Sequence, residues 1–249
     1  MRNTRSAPRT LTTALAGLAA VICAFLVSAA LAWQLLSQVN FGYRFLYGAL
    51  DIDAHIARYG PENRFRHGFE TTSRAERIAL FGGIVDAINN GGEGLRELRY
   101  HPAGGAATPL LRAPEIEHLE LVAGLVNGVR LLGLIAAGVL AALAILMHRF
   151  RIPLSRRGIA GGIGLALAAG AAVTIASFDG GKTGLFGRLH EMVFPPGHQW
   201  FFYYQDSLMT TLMKAPDLFG PMAAMLAVVT LLIVVPLLMG FARFVGHHD

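Results

Sequence analysis

Four stretches of the chain, 11–36, 121–147, 158–178 and 219–242, are nearly free of charge and rich in Leu, Ala, Val, Ile and Gly. Each is long enough to cross a bilayer, because about 20 residues of helix span a 30 Å hydrocarbon core. The polar segments between them are unequal: a short link, 148–157, and two longer loops, 37–120 and 179–218. The pattern predicts an all-α integral membrane protein with four transmembrane helices and a mainly helical cap on the side of the two loops. A transmembrane barrel is excluded, since its strands would alternate apolar and polar at every second residue.

The first loop is too long and too patterned for a plain connection. Ser73-Arg74-Ala75-Glu76 has the form of a capping box, and Ile78, Phe81, Ile84, Val85 and Ile88 follow at helical spacing until Asn90-Gly91-Gly92. A helix over 74–89 is expected, amphipathic and lying on the cap or the membrane surface. Residues 101–109, with His101, Pro102, Gly104, Gly105, Thr108 and Pro109, read as turn and loop. Pro114 suits the first turn of a helix that carries Glu115-Ile116-Glu117-His118-Leu119-Glu120 directly into the second span.

Composition agrees: 54% hydrophobic and 15% charged is too apolar for a soluble domain of 249 residues. Charge then sets orientation. The N-terminal tail (Arg2, Arg5, Arg9), the link (Arg149, Arg151, Arg156, Arg157) and the C-terminal tail (Arg243) hold eight basic residues against one acid, Asp249. The 38–120 region holds nine basic and eleven acidic residues, and 179–218 holds three and four. Basic residues gather on cytoplasmic flanks, so both termini and the link are expected inside and both loops outside. That bias accounts for the pI near 9.8 without a nucleic-acid partner. The first apolar run, about 26 residues, exceeds a signal peptide's core, so a retained anchor is expected over a cleaved leader. A single cysteine, Cys23, excludes an internal disulfide framework; bulky Val21 and Ile22 before it argue against lipid attachment.

Several residues bear on chemistry. Gly181-Lys182-Thr183 looks like the end of a phosphate loop, but Ala176 stands where its first glycine should be. Arg130 lies ~18 Å along the helix from His118, with Asn127 one turn away. It either lines a polar cavity between helices or snorkels outward. Among the histidines, His55, His67 and His101 occupy polar loop contexts and are expected to be solvated. His118 and His190 lie at the outer boundary, each beside acids: Glu117 and Glu120, and Glu191. Two such histidines suit general acid–base catalysis, or the axial ligation of a haem or metal.

The segment Leu189-His190-Glu191-Met192-Val193-Phe194-Pro195-Pro196-Gly197-His198-Gln199-Trp200-Phe201-Phe202, continuing to Asp206-Ser207-Leu208, resembles the lipoprotein intramolecular transacylase family. His190, Glu191, Phe194, Pro195, Trp200, Asp206 and Leu208 fit its pattern, and Glu115-Ile116-Glu117-His118 resembles a second family segment at the start of the second span. The four-span layout agrees. One departure is Leu121, where the family pattern carries an acid three positions after the first histidine; Glu120 is adjacent.

The resemblance implies a bacterial inner-membrane enzyme with its site on the outer face. It would move the sn-2 acyl chain of a diacylated lipoprotein's diacylglyceryl-cysteine to the cysteine α-amine, giving the lyso-form. His118 and His190 would be the acid–base pair, with Glu117, Glu191 and Asp206 as supporting groups. Trp200, Phe201, Phe202 and Arg130 would shape the lipid site. Besides membrane lipid and that substrate no partner is implied, and no cofactor or metal is expected. The alternatives are a non-enzymatic membrane scaffold and a bis-histidine haem or metal protein.

Overall fold

A computed structural model of the chain describes residues 7–152, 156–178 and 184–246. The first six residues, with Arg2 and Arg5, residues 153–155 of the basic link, the Gly181-Lys182-Thr183 triplet and the His247-His248-Asp249 end lie outside the described residues. The fold is mostly helical: α1 (Ala7–Ser37), α2 (Tyr43–Ala49), α3 (Ile52–Tyr59), α4 (Arg74–Asn89), α5 (Ala113–Arg149), α6 (Arg156–Phe178), α7 (Leu185–Val193), α8 (Leu208–Met213) and α9 (Phe219–Gly246). Residues 101–109, expected as loop, are bracketed by one small antiparallel pair, Arg99–Tyr100 (β1) against Thr108–Pro109 (β2).

Contacts divide the chain into two units. The first gathers Met1–Gln34, Val129–Ala172 and Leu226–Asp249, and the second gathers Leu35–Gly128 and Val173–Met225. In the first unit the core is Ala20, Val21 and Ala24 of α1, Leu140 and Met147 of α5, and Val234, Leu238, Phe241 and Val245 of α9. Small residues let the backbones approach. A Cβ on Gly133 would come within 2.6 Å of Ala30, and Gly162 of α6 lies directly against Val21. Hydroxyls are satisfied within their own helices: Ser28 donates to the Ala24 carbonyl and Thr230 to the Leu226 carbonyl. Arg130 donates to Gln34 Oε1 at 2.9 Å, so its charge is held by a polar residue of α1.

The outward faces of these helices are apolar. Leu134 is 73% exposed, Leu232 69% and Leu165 62%. A water-soluble surface does not carry so many large apolar side chains, whereas a lipid-facing one does. The helices over Thr12–Ser37, Ala113–Arg149 and Phe219–Gly246 are each long and apolar enough to cross a membrane. At 1.5 Å per residue α5 runs about 55 Å, so its ends extend well past a 30 Å hydrocarbon layer. In α6 the described apolar stretch, Ile159–Ala172, is shorter than a span.

The second unit has a packed core of its own. Tyr43 stacks on Phe81 with ring centroids 3.8 Å apart, and Phe41, Tyr47, Ile52, Ile56, Phe69, Ile84 and Tyr100 are buried around them. The helix expected over 74–89 is present as α4, and Ser73 Oγ accepts from the Glu76 amide as the capping box requires. Glu76 does not complete the box; its carboxylate accepts instead from the His101 amide and meets His101 Nδ1. The helix is two-faced, as expected: Leu80, Phe81, Ile84, Val85, Ala87 and Ile88 are buried, whereas Ala75, Ala79 and Asp86 on the other side are exposed. Arg77, one turn before Phe81 on the buried face, is buried with them.

Arg77 is the strut of this unit. Its guanidinium donates to Thr72 Oγ1, to Tyr47 Oη, to Asp53 Oδ1 at 2.9 Å and to the Glu70 carbonyl at 2.7 Å. The planar five-donor fork is what allows one cation to serve four acceptors. His55 corrects a second expectation: on α3 it is buried, with its ring 4.4 Å from Tyr204 and 4.7 Å from Tyr59, and its Nε2 unpartnered. Burial first, then the Lys214 charge, pushes its pKa down to about 4, with Arg58 adding slightly and Asp217 opposing.

Two outcomes follow. Replacing Arg77 with Met removes the donor to Thr72, Tyr47, Asp53 and the Glu70 carbonyl and should cost roughly 2–4 kcal/mol, read as a lower unfolding midpoint in detergent. His55 stays neutral in the fold below the unfolded value of 6.5, so the unfolded chain binds the extra proton there. Stability should therefore fall as pH drops from 6.5 toward 4, by up to about 1.4 kcal/mol per unit from this residue. His55→Phe should be near neutral at pH 8 and more stable than wild type at pH 5; identical acid-side melting curves would refute this.

Candidate functional site

The first turns of α5 are polar because Pro114 and Glu115 open a helix whose apolar run begins only later. Glu115 has no exposed surface. Its carboxylate accepts from Ser207 Oγ at 2.5 Å, from the Met209 amide at 3.3 Å and from the Arg112 amide at 2.8 Å. Burial pushes this carboxyl's pKa up; the bonds from Ser207, Arg112 and Met209 pull it back. Ser207 Oγ in turn accepts from the Thr210 amide and so caps α8. The start of α5 and the start of α8 are thus tied through one side chain.

One turn after Glu115, on the same face, comes His118, which is buried. The ring of His190, from α7, stacks at 6.3 Å with an interplanar angle of 27°. The ring of a third histidine, His198, is near-parallel to that of His118, with centroids 5.5 Å apart and 18° between the planes, and meets it at the edge: its Nε2 is 3.3 Å from His118 Nδ1. Phe194 is common to all three, with its ring 5.0 Å from His118, 5.5 Å from His190 and 5.8 Å from His198. Trp200 covers His190 at 4.7 Å, and Phe202 approaches His118 at 6.1 Å.

His198 reaches this position through a tight turn. Its amide bonds to the Pro195 carbonyl at 3.2 Å, and Gly197 has φ +81°. Pro196 followed by a positive-φ glycine is the type II arrangement, which reverses the chain just after α7 ends at Val193.

Burial first, then the neighbouring His190 and His198, lower the pKa of His118. His118 precedes the apolar run that the sequence marks at 121–147. The rings open onto a pocket lined by His118, His190, Trp200, Phe201, Phe202, Met209, Met213 and Phe219, about 520 Å³ with the space open to solvent included. That is the size range of small-molecule sites, with apolar walls and few polar groups. Among the described residues no group of three or more His, Cys, Asp or Glu is arranged to hold a metal ion.

Of the residues singled out in the sequence, His118, His190, Trp200, Phe201 and Phe202 meet at this pocket. The supporting acids stand apart from it. Glu117 and Glu191 are exposed, and Asp206 pairs with Arg64 at 3.1 Å, fastening the 203–206 loop to the first cap loop. Glu120, beside Leu121, pairs with Arg96. Arg130 belongs to the other unit, with Gln34. Two residues were missed. His198 was readable in the Pro195-Pro196-Gly197 turn, which must fold residue 198 back toward α7. Glu115 was named within the motif but given no role, because nothing local shows that its partners lie in the 207–209 segment.

No protein-family model, curated protein or solved structure matches the chain. The site therefore stands on its geometry.

Removing the carboxylate of Glu115 leaves a buried hydroxyl and two buried amides without an acceptor. Glu115→Ala should cost roughly 2–3 kcal/mol. Amide exchange over residues 207–213 should accelerate by at least about tenfold; unchanged protection there would show that the carboxylate is not the clamp.

Proposed function

We propose that the protein is a membrane-embedded acyltransferase that moves the sn-2 acyl chain of a lipoprotein's diacylglyceryl-cysteine to that cysteine's own α-amine. The observation that carries the reading is the near-parallel pair of imidazoles, buried His118 and half-buried His190, at the mouth of an apolar, aromatic-walled pocket. In this reading α6 is a fourth span, both termini are cytoplasmic, and the second unit forms the cap on the outer face of a bacterial inner membrane.

The chemistry asks for little beyond what this pocket holds. The α-amine attacks the ester carbonyl, a carbon–nitrogen bond forms, and the carbon–oxygen bond to the glyceryl sn-2 position breaks. One proton leaves the nitrogen and one arrives on the departing oxygen. An imidazole that is neutral at rest can take the first and deliver the second, and a nearby imidazole N–H can steady the oxyanion. Nucleophile and ester belong to one molecule, so orientation replaces an enzyme nucleophile. Trp200, Phe201, Phe202, Met209 and Met213 give the acyl chain an apolar wall and keep water from competing for the ester.

The test is mass spectrometry of the N-terminal peptide of a model lipoprotein, expressed with and without this protein in a host lacking N-acylation. An acyl chain should appear on the α-amine at constant total mass. His118→Ala and His190→Ala should each lower the rate by about 10²–10⁴-fold while folding normally. Transfer by either variant at the wild-type rate would refute the assignment, and Soret absorption in the purified protein would favour a haem protein instead.

A further inference from the structure

An imidazole that serves as a base needs its other nitrogen held, since the wrong tautomer turns the lone pair away from the substrate. A carboxylate commonly does the holding. Among the described residues none reaches His118: Glu115 spends both oxygens on Ser207, Met209 and Arg112, Glu120 is on Arg96, and Glu117 is exposed. What meets His118 Nδ1 is another imidazole, His198 Nε2, at 3.3 Å. Two imidazole nitrogens attract at that distance only when one carries the hydrogen and the other the lone pair. His118 lines the pocket, whereas His198 is not among the lining residues. His198 therefore stands behind His118 and acts through it.

We propose that His198 is a positioning residue whose Nε2 accepts the Nδ1–H of His118 and so leaves the His118 Nε2 lone pair as the base. This rests on the acyltransferase reading. When His118 Nε2 takes the proton from the attacking amine, the ring becomes an imidazolium and its bond to His198 becomes charge-assisted. The gain is made after substrate has bound, so it enters kcat and not KM. The proton then leaves Nε2 for the departing glyceryl oxygen, and the Nδ1 hydrogen never moves. In the turn that carries His198, Pro196 restricts the backbone and Gly197 permits the positive φ that the type II arrangement needs.

The test uses the full chain in lipid nanodiscs with nitrogen-labelled histidine, the His118 signals being those lost in His118→Gln. Wild type should show His118 protonated at Nδ1 alone. His198→Ala should give a tautomer mixture, and His198→Gln, whose amide oxygen reaches the same place, should restore the single tautomer. With a diacylglyceryl-cysteine lipopeptide, His198→Ala should lose roughly 10- to 100-fold in kcat at unchanged KM, and His198→Gln should stay within about threefold. An unaltered His118 tautomer in His198→Ala, or equal loss by Ala and Gln, overturns the proposal. A tautomer locked in wild type and lost in His198→Ala, with no acyl transfer by wild type, upholds the pairing and overturns the acyltransferase reading.

Discussion

A carboxylate with no exposed surface, Glu115, accepts hydrogen bonds from the Ser207 hydroxyl and from the amides of Met209 and Arg112, and the geometry of the pocket follows from that knot. Burying a carboxylate is costly unless its lone pairs are filled, so the arrangement is close to all-or-none. Filling them joins the first turn of α5 to the first turn of α8. It thereby fixes His118 next to Met209 and Thr210 on one wall of the pocket. Tyr43 Oη, donating to the Leu212 carbonyl, anchors the other end of α8 to the aromatic core of the second unit. The helix that carries His118 and the helix that closes the pocket beneath it are thus held to one framework.

Within that framework the three imidazoles behave differently from a cluster of charges. His118 is buried, and with the rings of His190 and His198 beside it its protonation is disfavoured. The outcome is a base that is free at neutral pH. Trp200 and Phe194 lay flat faces against His190, each 28° from its plane, whereas Phe194 is tilted against His118 and His198. The exposed acids Glu117 and Glu191, by contrast, would be of little use as orienting groups, since a carboxylate in water gains nothing by pairing with a neutral ring.

What the sequence made legible was local or periodic. Apolar runs showed where the long helices lie, Ser73 capped α4, and Pro114 opened α5. His118 and His190 stood out because each is a titratable residue set at the edge of an apolar run. What it hid was burial. His55 sits among charged neighbours along the chain, yet packs between Tyr59 and Tyr204, the latter far away in sequence. Arg77 sits on the apolar face of α4, and nothing local shows that four acceptors from other segments wait for it there. Asp206 matched a motif position, but its partner is Arg64 of the first cap loop. In each case the deciding contact joins residues that no window of the sequence contains together.

The same limit explains why His198 escaped notice although its turn was written plainly. Pro195-Pro196-Gly197 announces a reversal, but a reversal acquires meaning only when something waits on the other side. Here it is His118, 80 positions earlier and on a different helix. An acid three positions after His118 would have offered an orienting group visible within one helix; Leu121 stands there instead. In its place the chain uses a neutral partner delivered by a rigid turn. A carboxylate would hold the imidazole by charge and raise its pKa, making it a stronger base but one more often already protonated. A second imidazole holds it by a hydrogen bond alone and leaves it neutral. For the proposed acyl transfer, which would take a proton from an amine of pKa about 8 and return it within one turnover, a base that starts empty is the more useful one.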